Sequence, residues 1–455
     1  MSNPLRYVMQ FLLRHAARNR IVLLVLARVP KRIARMLRIE PVVSSIARRM
    51  QARPKFLRSQ SEVNNGNRVQ GAKAMSTALS FAMPQVPDAY RRRVTEAVAA
   101  TRADDQTVSE RLELRALIEL ETRRLDTTVA TAEEWLSLRY GLMLHGFLGA
   151  SGEARAHARR SAIKRAVSAK ERPTQRVLEI ALKASLDAGR LHLASELRDT
   201  VAANDPGSQV VGSYDSLISI LCGLSRGTIR NPQSRCQDDT NYRFAELIDG
   251  HSVAVVGPAQ SEESTGAEID NFDVVARINY SGRSQLPTVR VAGARTDISY
   301  YNGAVGDQVL TERPNFTRDL HFTVFKAARG VLPGGRSRHA IPVVPLFFAG
   351  TPHMSSVVLF DLLQFCPRTV KVFNVNFFLA RKLHHERYPI SGARDTSRWL
   401  RDFAYHDLCD QVNLVRTFAE SGKVEFDDQG ERVLGLSNAE YLHQMEVVID
   451  GRKGS

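Results

Sequence analysis

Residues 253–303 read VAVVGPAQSEESTGAEIDNFDVVARINYSGRSQLPTVRVAGARTDISYYNG, and this stretch decides the fold. It opens with four apolar residues, 253–256, three of them β-branched valines, and the run breaks at Gly257 into a small, polar loop. A buried strand that stops at a glycine predicts the strand-to-helix turn of a parallel α/β sheet. There, backbone N–H groups approach a phosphate closely and the following helix adds its positive end. Gly257-Pro258-Ala259-Gln260-Ser261 lacks the second and third glycines of a dinucleotide fingerprint, and no Gly-Lys-Ser/Thr follows to make a P-loop. Taken alone, these residues leave open an ordinary βα turn of such a sheet.

A second strand ends in Arg277-Ile278-Asn279, and Gly293-Ala294-Arg295-Thr296-Asp297 follows. Asn279 suits a turn after a buried strand. Arg277 is expected to hold a carboxylate inside the fold, Asp270 or Asp273. Gly257 and Gly293 mark positions that need φ > 0 or a close backbone approach.

Three later segments occur in a fixed order. Pro352-His353-Met354-Ser355-Ser356 leads into a helical stretch, 357–365, and a strand, 370–373. His384-His385-Glu386 comes next. His406-Asp407 then opens a helix carrying Val412, Leu414 and Val415 before the turn Gly422-Lys423-Val424. Together with 253–303, this order resembles the large, small, third and last sialylmotifs of the family 29 sialyltransferases, over about residues 245–445.

The resemblance implies an inverting, metal-independent glycosyltransferase that moves an acidic sugar, of the sialic acid or Kdo type, from a CMP-activated donor to a glycan or glycolipid acceptor. It requires no cofactor beyond that co-substrate. His406 matches the family's general base, and His385 matches the third-motif histidine near the leaving phosphate. Gly257, Pro258, Ala259, Asn279, Ser355 and Ser356 match the donor-binding loops, with Pro258 standing where the family has an Asn and Gln411 where it has an acidic residue. Asp407 is the supporting residue expected to orient the base, and Tyr388 and Trp399 fall where the family binds acceptors. Imidazole suits the task because its ordinary pKa lies near neutrality.

The family's bridge between the first two motifs has no counterpart, since Val253 occupies the first position while Cys366 lies near the second. The four cysteines, Cys222, Cys236, Cys366 and Cys409, show no metal spacing, which fits a reducing cytosol. Cys409 reads as a small apolar helix residue.

The 455 residues can bury at least two cores. Charge is concentrated at one end: residues 1–60 hold 14 Lys or Arg against the single acidic Glu40, so +13 of the net +15 lies there. Leu5, Val8, Met9, Leu12 and Leu13, then 21–27, interleave with arginines in a helical pattern. The apolar run is far shorter than a membrane span and is followed at once by Arg28, Lys31 and Arg32, without a small-residue cleavage site. A basic amphipathic helix binds anionic membrane surfaces, and no nucleic-acid recognition motif accompanies the charge.

Residues 59–74, rich in Ser, Asn, Gln and Gly, suggest a linker. Helical periodicity then predicts helices over 90–103, 108–126, 132–148, 154–168, 173–188 and 191–203, with turns at Gly152 and Gly189. They are somewhat like tetratricopeptide hairpins, an array that takes a protein partner.

The expected organisation is therefore multidomain: a basic amphipathic segment (1–58), a linker (59–87), an N-terminal α-helical hairpin, repeat-like domain (88–204), a connector (205–243) and a C-terminal α/β glycosyltransferase domain (244–455), a GT-A-like variant of the sialyltransferases. The expected location is cytoplasmic, peripheral on the inner membrane face. The alternatives are a catalytically degenerate nucleotide- or glycan-binding member and a membrane-surface helical-repeat scaffold. Removing residues 1–60 is expected to abolish salt-sensitive binding to anionic vesicles in a co-sedimentation assay; persistent binding would place the membrane contact elsewhere.

Overall fold

A strand buried on both faces needs strands on either side and helices above and below. The computed structural model supplies them, and it describes residues 40–100, 107–168, 173–223, 239–312, 319–326, 336–380, 384–387 and 396–451. The chain divides into two compact units, 1–161 and 162–455. The basic residues 1–39 lie outside the described residues. Among the described residues no helix is long and apolar enough to cross a membrane.

The first unit is helical: α1 (Glu40–Asn64), α2 (Arg68–Ala82), α3 (Asp88–Ala100), α4 (Val108–Arg124), α5 (Ala132–Leu144) and α6 (Leu148–Val167), the last running past the unit's boundary. Thr107 and Thr131 start α4 and α5 with reciprocal capping boxes to Glu110 and Glu134, which satisfy N–H groups a helix start leaves unpaired. Gly146, at φ 80°, makes the turn between α5 and α6, whereas Gly152 lies inside α6. The expected break at Gly152 is thus displaced by one helical turn and a half.

The expected linker at 59–87 is instead the hairpin of α1 and α2. Phe56, Val63, Met75, Leu79 and Met83 recur at helical spacing and are all buried, so the segment has an apolar face to bury despite its polar composition. Its small residues are contact points. Ser59 donates its hydroxyl hydrogen to the Gly71 carbonyl (2.7 Å), and a side chain at Gly71 would press into Val63.

The second unit begins with α7 (Gln175–Asp187), α8 (Leu191–Asn204) and α9 (Gln209–Leu221). The helices expected at 88–204 are therefore shared between the two units. The connector expected at 205–243 contains α9, because Val210, Val211, Tyr214, Leu217 and Ile220 form a buried helical stripe.

The sheet has seven strands: β1 (Ser252–Val256), β2 (Val274–Ile278), β3 (Ile298–Tyr301), β4 (Phe322–Phe325), β5 (Ser337–His339), β6 (Thr369–Phe373) and β7 (Glu425–Phe426). All pair in parallel, in the order β5-β4-β3-β2-β1-β6-β7. The chain winds outward from β1 to β5, then returns to lay β6 against the other side of β1, with Val253 opposite both Val274 and Val370. Such a reversal opens a crevice beyond the carboxyl ends of the two central strands. Three helices close over that end: α10 (Met354–Leu363), α11 (Thr396–Tyr405) and α12 (Leu408–Glu420).

One buried charge pair fixes α10 on the sheet. Asp361 of α10 and Arg338 of β5 are both within 4% of full burial, 2.6 Å apart. The carboxylate also accepts from the Tyr300 hydroxyl (2.8 Å) and the Ile341 N–H (2.7 Å), and the guanidinium stacks over Phe244 and Phe365. A satisfied buried pair costs little, but loss of one member strands the other charge. Asp361→Ala should lower unfolding free energy by about 3–5 kcal/mol in urea titrations, while the apolar pair Arg338→Met with Asp361→Leu should recover most of that loss.

Candidate functional site

A cavity of about 550 Å³ lies at the carboxyl end of the sheet. Its floor is made by the residues that follow five strands: Pro258 and Ala259 after β1, Asn279 after β2, Asn302 after β3, Lys326 after β4 and Asn374–Phe378 after β6. The start of α10 (His353, Met354, Ser355), α11 (Trp399, Asp402, Phe403, Tyr405), His406, His384 and Gln411 complete the walls.

The glycine break after β1 has a local cause. The Gly257 N–H donates to the Phe373 carbonyl (2.8 Å) and the Ala259 N–H to the Asn374 carbonyl (3.1 Å). Any Cβ at Gly257 would press into the Asn374 carbonyl oxygen. The loop therefore crosses the end of β6 in backbone contact, which only glycine permits. Asn279 adopts φ 56°, a conformation that Asn tolerates better than most residues. Its Oδ1 accepts from the Asn302 N–H (3.1 Å), so it locks the ends of β2 and β3 together on the cavity floor.

His406 is positioned by a chain of backbone contacts. The Asp410 carboxylate accepts from the N–H groups of Phe348 (2.7 Å) and Ala349 (3.2 Å), drawing that loop onto α12. Gly350, at φ 78°, lets the loop lie against the backbone at 405–407; a Cβ there would sit 2.6 Å from the Asp407 nitrogen. Thr351 then meets His406, whose Nδ1 is 2.9 Å from the Thr351 carbonyl oxygen and 3.0 Å from its hydroxyl. A carbonyl only accepts, so Nδ1 carries the hydrogen and the ring's lone pair is on Nε2.

Electrostatics keep the imidazoles neutral. Burial is the main cause that lowers the His406 pKa, with Lys326 adding to it and the Thr351 carbonyl and Asp402 opposing it. The His353 ring lies 3.9 Å from that of His406, centroid to centroid, and its pKa is held well below the ordinary value by burial, then by His406 and Lys326. Lys326, whose Nζ donates to the Pro352 carbonyl, is pushed down to about 8 by burial. It still carries its charge at neutral pH. The cavity thus sets the Lys326 ammonium and the neutral imidazoles of His353 and His406 beside Asp402.

The residues singled out from sequence fall into two groups. Pro258, Ala259, Asn279, Ser355 and His406 share the cavity wall, as does Trp399, edge-to-face against Phe403 at 5.6 Å. Gly257 and His385 line an adjoining recess of about 30 Å³. The His385 N–H donates to the Pro258 carbonyl (3.0 Å), and His384 is the neighbour that reaches the large cavity. Ser356 is fully buried and is not part of either wall. Tyr388 lies outside the described residues.

Two residues hold contacts that the sequence did not predict. The Asp407 carboxylate is engaged at the helix start beside the histidine. It caps α12, accepting from the N–H groups of Cys409 (3.1 Å) and Asp410 (3.2 Å), and Thr351 holds the imidazole. Arg277 does not hold a carboxylate. Its guanidinium donates to the carbonyls of Ala292 (2.7 Å) and Arg295 (2.7 Å) and to the Thr296 hydroxyl, while Asp270 accepts from the N–H groups of Ala294 and Arg295. Burial lowers the Arg277 pKa to about 10.

Sequence reasoning passed over Thr351 and Lys326 as parts of this site. Lys326 follows the apolar run Phe322–Phe325, and a lone cation at the end of a buried strand is the signal that could have found it. No protein-family model matches the chain, and no curated protein matches it either.

Three depressed imidazoles have a consequence for stability. As pH falls through 6.5 the unfolded chain protonates His353, His385 and His406 while the folded chain does not, so unfolding takes up protons and stability drops. For His385 the loss runs from 6.5 down to about 4, set by burial and then by Arg387 and Arg277; the contribution is fully present above 6.5. His385→Gln should flatten the fall of the urea midpoint across that window, and an unchanged pH profile would show that His385 is solvated.

Proposed function

We propose that residues 162–455 form a GT-A-like glycosyltransferase unit, related to the family 29 sialyltransferases. It transfers an acidic sugar from a CMP-activated donor to a glycan hydroxyl with inversion. The observation that carries this reading is the meeting, in one cavity at the sheet's reversal point, of the loop after Gly257, the loop before α10 and a histidine whose Nδ1 is committed to a carbonyl. The order of motifs along the chain supports the donor class.

In this reading the acceptor oxygen attacks the anomeric carbon as the bond from that carbon to the phosphate oxygen breaks. The acceptor's proton passes to Nε2 of His406, and CMP leaves with the bonding electron pair. A neutral, desolvated imidazole held through Nδ1 by Thr351 is competent for that transfer, because its Nε2 is unprotonated near neutral pH. Negative charge that develops on the departing phosphate is favoured by the Lys326 ammonium, whose field is little screened in a buried cavity. The Ser355 N–H and hydroxyl at the start of α10 supply hydrogen-bond donors of the kind that anions accept. Trp399, Phe403 and Tyr405 supply apolar surface for a sugar ring on the acceptor side.

Residues 1–58 serve, in the same reading, as a basic attachment to the inner face of a membrane, where a lipid-linked acceptor would lie, and the helices of the first unit take a protein partner.

The test is release of CMP from CMP-sialic acid and from CMP-Kdo in the presence of a panel of glycan acceptors. Wild-type protein should release CMP from one of the two donors, and His406→Ala should slow it by about 10²–10⁴-fold without shifting the thermal unfolding midpoint. No release from either donor, or equal rates for wild type and variant, would overturn the assignment.

A further inference from the structure

Where β6 ends, two residues of the cavity wall carry carboxamides with three hydrogen-bonding atoms that the described residues leave unmet. Asn374 has φ 57°, and both sides of its backbone are committed. Its N–H donates to Asp427 (2.6 Å) and its carbonyl accepts from the Ala259 N–H (3.1 Å). The residue is 1% exposed, yet neither its Nδ2 nor its Oδ1 has a hydrogen-bond partner among the described residues. Asn376, 5% exposed, spends its Oδ1 on the Phe378 N–H (3.0 Å) and leaves Nδ2 unmet. Buried polar groups are nearly always satisfied, and each exception costs stability. Two adjacent exceptions on the wall of one cavity point to a ligand that completes them.

The chemistry of the unmet groups narrows that ligand. A phosphate or a sugar carboxylate only accepts, so it would pair with Nδ2 and leave the Asn374 Oδ1 facing negative charge. A flat heterocycle with a donor beside an acceptor satisfies both atoms of one amide at once, as Asn and Gln do with base edges. Pro258, Ala259 and Val375 flank this corner with apolar surface, which suits the faces of a ring. We propose that Asn374 and Asn376 are specificity residues that hydrogen-bond the edge of a nucleobase at the end of β6. This rests on the reading of the cavity as a nucleotide site, and it assigns the base to these two side chains and not to the loop after β1.

Asn374→Gly deletes the amide and keeps the positive φ at no steric cost. Asn376→Ser removes the unmet donor without adding a charge, and its hydroxyl accepts from the Phe378 N–H as in an ST-turn. Calorimetric titration with CMP and with ribose 5-phosphate, which lacks the base, separates the possibilities. Wild type should bind CMP about tenfold or more tightly than ribose 5-phosphate, and each variant should narrow that gap by about tenfold, the equivalent of one buried hydrogen bond to a ligand. A gap that persists in both variants overturns the proposal while leaving the nucleotide site standing. Equal wild-type affinity for the two ligands also overturns it. No binding of CMP by wild type removes the nucleotide reading and this inference together.

Discussion

The parallel pairing of β1 with β6 brings two loops, 257–259 and 374–378, from opposite directions of the chain's winding to one edge of the sheet. Backbone hydrogen bonds weld them there, the Gly257 N–H to Phe373 and the Ala259 N–H to the Asn374 carbonyl. The weld requires that residue 257 have no side chain. Every other part of the cavity is referred to this crossing. α10 is seated on the sheet by Asp361 against Arg338 and Tyr300, and its first residues therefore project over the loops. The loop at 348–351 in turn carries α12 and His406 to the same place.

Carboxylates do the holding in this unit. Asp361, Asp407, Asp410 and Asp427 are all buried, and each accepts from backbone N–H groups that the fold would otherwise leave unpaired. For Asp427 burial wins over those bonds, and its pKa is raised. With the acids engaged in structure, the polar groups of the described residues that line the cavity are imidazoles, amides, the Ser355 and Tyr405 hydroxyls, the Lys326 ammonium and Asp402. Such a set is suited to a substrate that brings its own negative charge.

Much of the second unit was legible from local pattern. The strands at 253–256 and 370–373, the end of β2 at Arg277-Ile278-Asn279 and the helix before β6 all announce themselves as apolar runs closed by Gly, Asn or Pro. Helices α3, α4 and α5 of the first unit were legible to within a few residues, because their apolar residues recur at helical spacing. What failed depended on contacts between distant residues. The stretch 59–74 reads as a polar linker until Ser59 and Gly71 are seen to be small because two helices touch there. Thr351 lies 55 residues from the histidine it orients. Asp407, adjacent to that histidine, is spent on a helix cap. Neighbours in sequence misled because Asp407, at the cap of α12 with φ −86° and ψ 104°, turns its carboxylate to the helix start.

Hydrogen–deuterium exchange with and without saturating CMP addresses the nucleotide site directly, since it reads backbone protection along the whole chain. Protection should concentrate at 257–259, 353–356 and 374–378, the three segments that meet at the reversal of the sheet, with the helices of the first unit unaffected. Protection confined to other segments, or none at saturation, would contradict a nucleotide site in this cavity.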